Sequence, residues 1–170
     1  SFEEYYIFNK GNKEQLKEYK KVIALDSANI ERLGEFKPII EDYEIVNIDH
    51  HYDNSRFGEL NYVNPDESAV GKIIYDMADI FNIEIKEDLG TAIALAVLAD
   101  TGSLQYPNSD PASFRLIAYL KEKGIDIVEI NRYLQSFPSL KYLKLLSAAL
   151  VNINTAKEGK IAWVVVDNQA

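Results

Sequence analysis

Ile45-Val46-Asn47-Ile48-Asp49-His50-His51 is the stretch on which the fold turns. Ile45, Val46 and Ile48 form a short aliphatic run that ends in an acidic residue, Asp49. A second compact run, Val22–Leu25, ends the same way, at Asp26. Short aliphatic runs of this kind are how strands of a parallel sheet covered on both faces read. Such sheets collect their functional groups at the carboxyl ends of the strands, where Asp26 and Asp49 would both lie.

Helical patterns alternate with strand-like ones on either side of these runs. From Ser68, the residues Val70, Ile73, Ile74, Met77 and Phe81 mark one apolar helix face, and Leu89, Ile93, Ala96 and Val97 mark a second. Asp110-Pro111 reads as a cap followed by a first-turn proline, and Gly124 closes that helix. Ile127, Ile130 and Leu134 predict a short helix. Ser139 opens a long one carrying Leu143, Leu146, Leu150 and Ile153. Tyr5–Phe8 is a further candidate strand near the start. Lys160–Val166 predicts a strand after the Glu158-Gly159 turn, the first element of a second module. The alternation predicts an α/β fold, a mostly parallel sheet with flanking helices, with a first domain over 1–153 and the start of a second over 154–170.

At 170 residues, 47% hydrophobic and 26% charged, the chain has the makeup of a globular domain with a real core. No apolar run approaches the length needed to cross a bilayer, and no basic-then-apolar leader opens the sequence. Cysteine is absent, which excludes disulfides and thiol chemistry and fits a cytoplasmic location. A net charge of −9 argues against stable binding of long nucleic acid. Small phosphorylated ligands remain open, because bound divalent metals bring their positive charge with them.

His50 and His51 are the only histidines, and they directly follow Asp49. Neutral imidazole is a good ligand for manganese or zinc, and a neighbouring carboxylate can fix its tautomer. A polar turn with two exposed histidines is the bland alternative. Asp100 ends a segment made almost entirely of Ala, Leu, Ile and Val, in Leu98-Ala99-Asp100-Thr101-Gly102-Ser103. Burying a lone carboxylate is costly, and a metal would remove that cost; capping of the Thr-Gly-Ser turn is the simpler role.

Taken together these segments form a pattern. Asn47-Ile48-Asp49-His50-His51 resembles the signature of the DHH family of phosphoesterases. Leu25-Asp26-Ser27-Ala28 with Glu31-Arg32-Leu33-Gly34 is similar to that family's second motif, and Ala99-Asp100-Thr101-Gly102-Ser103 to its fourth. Gln105-Tyr106-Pro107-Asn108, Phe57-Gly58, Asn61 and Asn64-Pro65 look like the oligoribonuclease (nanoRNase) and phosphoadenosine phosphate phosphatase branch. Three motifs agree in order and spacing.

The resemblance implies two divalent ions, typically manganese with magnesium as the alternative, at a two-metal site. It implies Asp26, His50 and Asp100 as metal ligands, with Asp26 bridging. It implies that Asp49 orients a histidine and that His51 faces the scissile phosphate. Short oligonucleotides or small nucleotide phosphates are the implied substrates. Cyclic-dinucleotide, pyrophosphate or polyphosphate hydrolysis and long-strand exonuclease action are the alternatives within the family.

The chain also departs from the pattern. The family's first motif, a histidine followed by two aspartates, has no counterpart, since no histidine precedes His50. The expectation is therefore a fragment of a DHH domain lacking its amino-terminal part, with little or no activity by itself. A non-catalytic nucleotide-binding module is the alternative. Among other residues, Asn54 and Ser103 are candidate substrate contacts or turn formers. Arg32 either reaches a phosphate or closes an exposed helix-end ion pair. Gly71-Lys72 lacks the glycine-rich approach of a phosphate loop, and Lys72 reads as a surface lysine. Tyr106 is the tyrosine best placed to stack on a base. The leucines of the last helix are too few for a coiled coil, which leaves a linker helix packed on the core, and an oligomer stays open.

Overall fold

A computed structural model describes residues 19–135 and 139–166. The strand expected at Tyr5–Phe8 lies outside the described residues. The chain divides into two compact units, Ser1–Asn131 and Arg132–Ala170.

The first unit opens with β1 (Lys21–Leu25), a 3-10 helix (Ile30–Phe36), a short α1 (Lys37–Ile40) and β2 (Glu44–Asp49). It continues with β3 (Leu60–Val63), α2 (Val70–Ile80), α3 (Glu87–Asp100) and α4 (Pro111–Glu122). The boundary between the units falls inside α5 (Ile127–Leu134). The strands form one parallel sheet in the order β1-β2-β3, with Ile23 opposite Val46 and Ile48 opposite Tyr62. The fold is α/β with a parallel sheet and flanking helices, as the alternation predicts.

β2 is the central strand, and its side chains alternate between two cores. Ile45 packs with Ala24 and Ile40, together with Val22, Ile30, Leu33 and Phe57. Ile48 packs with Val70 and Ile73 of α2, with Val46 and Met77 beside them. A strand covered on both faces has little room for polar alternation, so β2 reads as aliphatic residues broken by Asn47, which is buried and hydrogen-bonded.

β3 was not expected from the sequence. It joins β2 through residues 50–59, a crossover that contains no helix. Parallel neighbours usually need a longer, helical connection. Gly58 makes this short path feasible: a Cβ there would stand 2.8 Å from the Ile45 carbonyl oxygen and 2.9 Å from that of Leu60. The 3-10 helix was also unexpected, and Gly34, with φ 54 and ψ −122, interrupts it.

α2, α3 and α4 match the apolar patterns. Asp110 caps α4 by accepting from the Ser113 backbone N–H at 2.8 Å, with Pro111 in the first turn. Gly71 is a packing residue: a Cβ there would lie 2.8 Å from Ala96 Cβ and 2.9 Å from the Ile93 carbonyl oxygen of α3. Lys72 departs from the surface reading, because its ammonium is half-sequestered between Asp76 at 2.8 Å and Glu67 at 3.4 Å.

The second unit holds α6 (Leu140–Val151) and an antiparallel hairpin of β4 (Asn154–Ala156) and β5 (Ile161–Trp163). Ser139 caps α6 by accepting from the Tyr142 N–H at 3.1 Å. The turn Lys157-Glu158-Gly159 has positive φ throughout. β5 is shorter than the expected Lys160–Val166 and follows a partner, β4, that no pattern announced. This division groups α6 with the hairpin, whereas the sequence reading places it in a first domain ending at 153. Among the described residues no helix is long and apolar enough to cross a membrane.

Candidate metal centre

Asp26 follows β1 in a left-handed conformation, φ 59, which asparagine and aspartate enter more readily than most residues. Its backbone N–H donates to the Ile48 carbonyl at 3.0 Å, so the turn is stitched to β2. Asn47, fully buried on β2, donates its amide to the carbonyls of Ala24 and Ser27. Asn54 donates to Ser27 O at 3.1 Å, to Asn47 Oδ1 at 2.9 Å and to Asp49. Two asparagines thereby lock the Asp26 turn, the end of β2 and the crossover loop together.

At the end of β2, Asp49 is fully buried. Its carboxylate accepts from His51 Nδ1 at 2.8 Å and from the Asn54 amide. Burial is the largest influence on this carboxyl and pushes it up, but the bonds from His51 and Asn54 outweigh burial. The group ends below the usual aspartate value and is held as a carboxylate.

His50 faces elsewhere. Its Nδ1 lies 3.2 Å from the backbone carbonyl oxygen of Glu67. A carbonyl only accepts, so this bond places the proton on Nδ1 and leaves Nε2 as a lone pair in the neutral ring. That Nε2 stands 3.3 Å from Asp26 Oδ1 and 3.4 Å from Asp100 Oδ2. Contact with Asp26 is the largest influence on His50 and raises its pKa; burial opposes this, and the ring ends above its usual value. Burial, then the charge of Asp26, pushes the Asp100 carboxyl up.

His50 Nε2 and the two carboxylates on either side of it are all acceptors, and a cation, either a proton or a metal, would relieve them. Metal bonds to imidazole nitrogen and carboxylate oxygen of about 2.0–2.2 Å put neighbouring ligand atoms roughly 3 Å apart, and the observed spacings accommodate this. The group whose ligand atoms all lie within 4.8 Å of one another is Asp26, Asp49, His50 and His51; Asp100 is not part of it and reaches the cluster through His50. Asp49 differs from the others, because its oxygens are already engaged by His51 and Asn54. The donor set therefore fits a hard or borderline divalent ion.

The remaining residues complete the frame. Asp100 is the last residue of α3, and the turn after it is bonded by Thr101, whose Oγ1 accepts from the Leu104 N–H at 3.1 Å. Asn108 donates to the carbonyls of Asp100 at 3.1 Å and Ser68 at 3.2 Å. It so joins the end of α3 to the loop that supplies the Glu67 carbonyl. The structure does not bring the Ser103 hydroxyl to the cluster, since it donates to Asn131 at 2.8 Å. The Asn54 amide is turned into the frame. The bracing roles of Asn47, Asn54 and Asn108 escaped the sequence reading; the one available signal was three asparagines lying inside or beside the acidic motifs.

No protein-family model matches the chain. Over 132 residues it is 31% identical to a bifunctional oligoribonuclease and PAP phosphatase of Thermus thermophilus, covering 78% of this chain and 40% of that protein. Over 138 residues it is 28% identical to a probable enzyme of the same name from Streptococcus mutans, covering 81% of this chain and 44% of that one. In fold it resembles an exopolyphosphatase-related protein from Bacteroides fragilis, with a TM-score of 0.83 and 22% identity over 94% of this chain and 48% of the other. The chain thus spans less than half the length of each. With the Asp49-His50-His51 triplet at the end of a parallel strand and Asp26 and Asp100 converging on it, these likenesses show that the chain belongs to the DHH family of phosphoesterases.

Proposed function

We propose that this chain carries the metal-binding half-site of a manganese-dependent phosphoesterase acting on short oligonucleotides or small nucleotide phosphates. The observation that carries the reading is His50 Nε2 set between Asp26 and Asp100, with its other nitrogen pinned by the Glu67 carbonyl. Asp26, His50 and Asp100 would hold the ion, and their mixed imidazole and carboxylate character suits manganese, with magnesium as the alternative. When bound, divalent ions at such a site supply an activated hydroxide and neutralise charge on the phosphate.

The protein's own groups do the rest. Asp49 accepts the Nδ1 proton of His51, which directs the His51 Nε2 outward as the atom that meets substrate. A phosphate oxygen only accepts, so His51 would meet it in the form that carries a proton on Nε2, which the negative charge of Asp49 favours. Asn54 holds Asp49 in turn, so its role is to position rather than to touch substrate. The names of the Thermus and Streptococcus relatives support short oligonucleotides and PAP as the substrate class.

The test is manganese binding by calorimetry, followed by manganese-dependent hydrolysis of a dinucleotide, a phosphoadenosine phosphate, a cyclic dinucleotide and pyrophosphate. Binding that is lost in His50→Ala supports the reading; little or no turnover is expected of the half-site by itself, and any that occurs should be confined to the first two substrates and lost in His51→Ala. A chain that binds no manganese, or binds it equally well in His50→Ala, sinks it. Turnover of only the cyclic dinucleotide or pyrophosphate would move the substrate assignment to that branch.

A further inference from the structure

Arg32 sits on the 3-10 helix that follows the Asp26 turn, and its side chain does not do what an exposed helix-end arginine usually does. Among the described residues it forms no ion pair with a carboxylate. Its Nη1 lies 3.1 Å from His51 Nε2 instead. The Nδ1 of that ring donates to Asp49, so Nε2 accepts from the guanidinium. The arginine is therefore held at the one atom of His51 that the fold turns away from its own carboxylates.

Its position is built rather than incidental. The Arg32 backbone N–H is accepted by Asn29 Oδ1 at 3.1 Å, and Ser27 Oγ donates to the Asn29 carbonyl at 3.1 Å. The same short turn that points Asp26 at His50 thus fixes the base of Arg32. A guanidinium has five donors in a planar fork that matches two oxygens of a phosphate, and the contact with His51 engages one nitrogen. The electrostatics call for such a group. Asp26, Asp49 and Asp100 gather three carboxylates around two imidazoles in a chain of net charge −9. An approaching phosphate needs a cation at the rim to offset that field.

We propose that Arg32 is a phosphate-binding residue of this site, taking a terminal phosphate oxygen beside the Nε2 of His51. The assignment rests on the metal-dependent phosphoesterase reading and names the group that selects a phosphate-bearing substrate for it. Substrates with a terminal phosphate next to the scissile bond gain most from a fixed guanidinium.

The experiment is calorimetric titration of the chain with adenosine 5′-monophosphate and with adenosine, with and without Mn2+, for wild type, Arg32→Gln and Arg32→Lys. Manganese affinity is measured for each. The expected result is that Arg32→Gln weakens the monophosphate by about tenfold or more, with manganese affinity unchanged. Arg32→Lys should recover part of the loss, since it restores charge without the fork, and adenosine should not discriminate among the three. Equal monophosphate affinity in wild type and Arg32→Gln overturns the assignment, as does a wild type that binds manganese but not the monophosphate. Loss of manganese together with the monophosphate overturns it too, because Arg32 would then be holding the site together. Failure of wild type to bind manganese overturns the metal reading instead, and the metal-free titrations still decide Arg32.

Discussion

The Nδ1 of His51 lies 2.8 Å from Oδ1 of Asp49, a carboxylate wholly removed from solvent. Removing the acceptor leaves His51 and Asn54 without their shared partner. Asp49→Ala should therefore destabilise the fold by about 1–3 kcal/mol. Asp49→Asn keeps the volume but loses the charge and offers His51 a weaker acceptor. It should lower turnover by at least about tenfold and leave manganese affinity within a few-fold. Urea denaturation and calorimetry on the two variants check both halves.

His50 predicts opposite responses of stability and metal affinity to pH. In the metal-free protein its folded pKa lies above the ordinary value of 6.5. The stabilisation from protonated His50 is then complete below that ordinary value and is lost as pH rises through the raised one. Manganese needs the neutral ring, so its affinity should climb with pH, by about tenfold per unit below the raised pKa. The denaturation midpoint and the manganese Kd, followed from about pH 6 to about pH 8, should diverge in wild type, and this divergence should vanish in His50→Ala.

Asp100 should show a cost of function to stability. Its carboxyl is pushed up by burial and by Asp26, so the charged form is less favourable in the folded state than in the unfolded chain. Asp100→Asn should raise the melting temperature of the metal-free chain, on the order of 2 °C. The same change should weaken manganese by more than the roughly 10–100-fold typical of an outer partner. Thermal melts with and without manganese would show the two curves crossing over.

Gly58 tests the crossover. A methyl group there meets two carbonyl oxygens at 2.8 and 2.9 Å, both backbone and both within the sheet. Gly58→Ala should cost about 1–3 kcal/mol through forced displacement of β2 or β3, read as a lower urea midpoint with an unchanged slope.

The legibility of the sequence followed the length and purity of its patterns. β1 and β2 were visible because each is a short aliphatic run ending in an aspartate, α2 because its apolar face is regular, and α3 because it is apolar nearly throughout. β3 was hidden because Leu60-Asn61-Tyr62-Val63 is short, contains a polar residue and follows a loop rather than a helix. Asp26, His50 and Asp100 stood out because each charged or ionisable group ends an apolar run. Arg32 was left between a phosphate contact and a helix-end ion pair, because its partner is a ring 19 positions away in sequence, and only the turn around Asp26 brings them together. The asparagine brace was illegible for the same reason: Asn47 and Asn54 act on the carbonyls of Ala24 and Ser27, and backbone carbonyls leave no trace in a sequence.

The alternation along β2 has a consequence for how the protein can go wrong. Ile45 serves one core and Val46 and Ile48 the other, and the same strand runs on into Asp49, His50 and His51. A slip of one residue would exchange every face at once. It would turn Asp49 away from Asn54 and take His50 out from between Asp26 and Asp100. A misaligned sheet could still be compact and helical, but it would lack the proposed metal site. On the proposed reading, metal binding is a proofreader's mark on the strand, visible only when β2 has been set in its proper line.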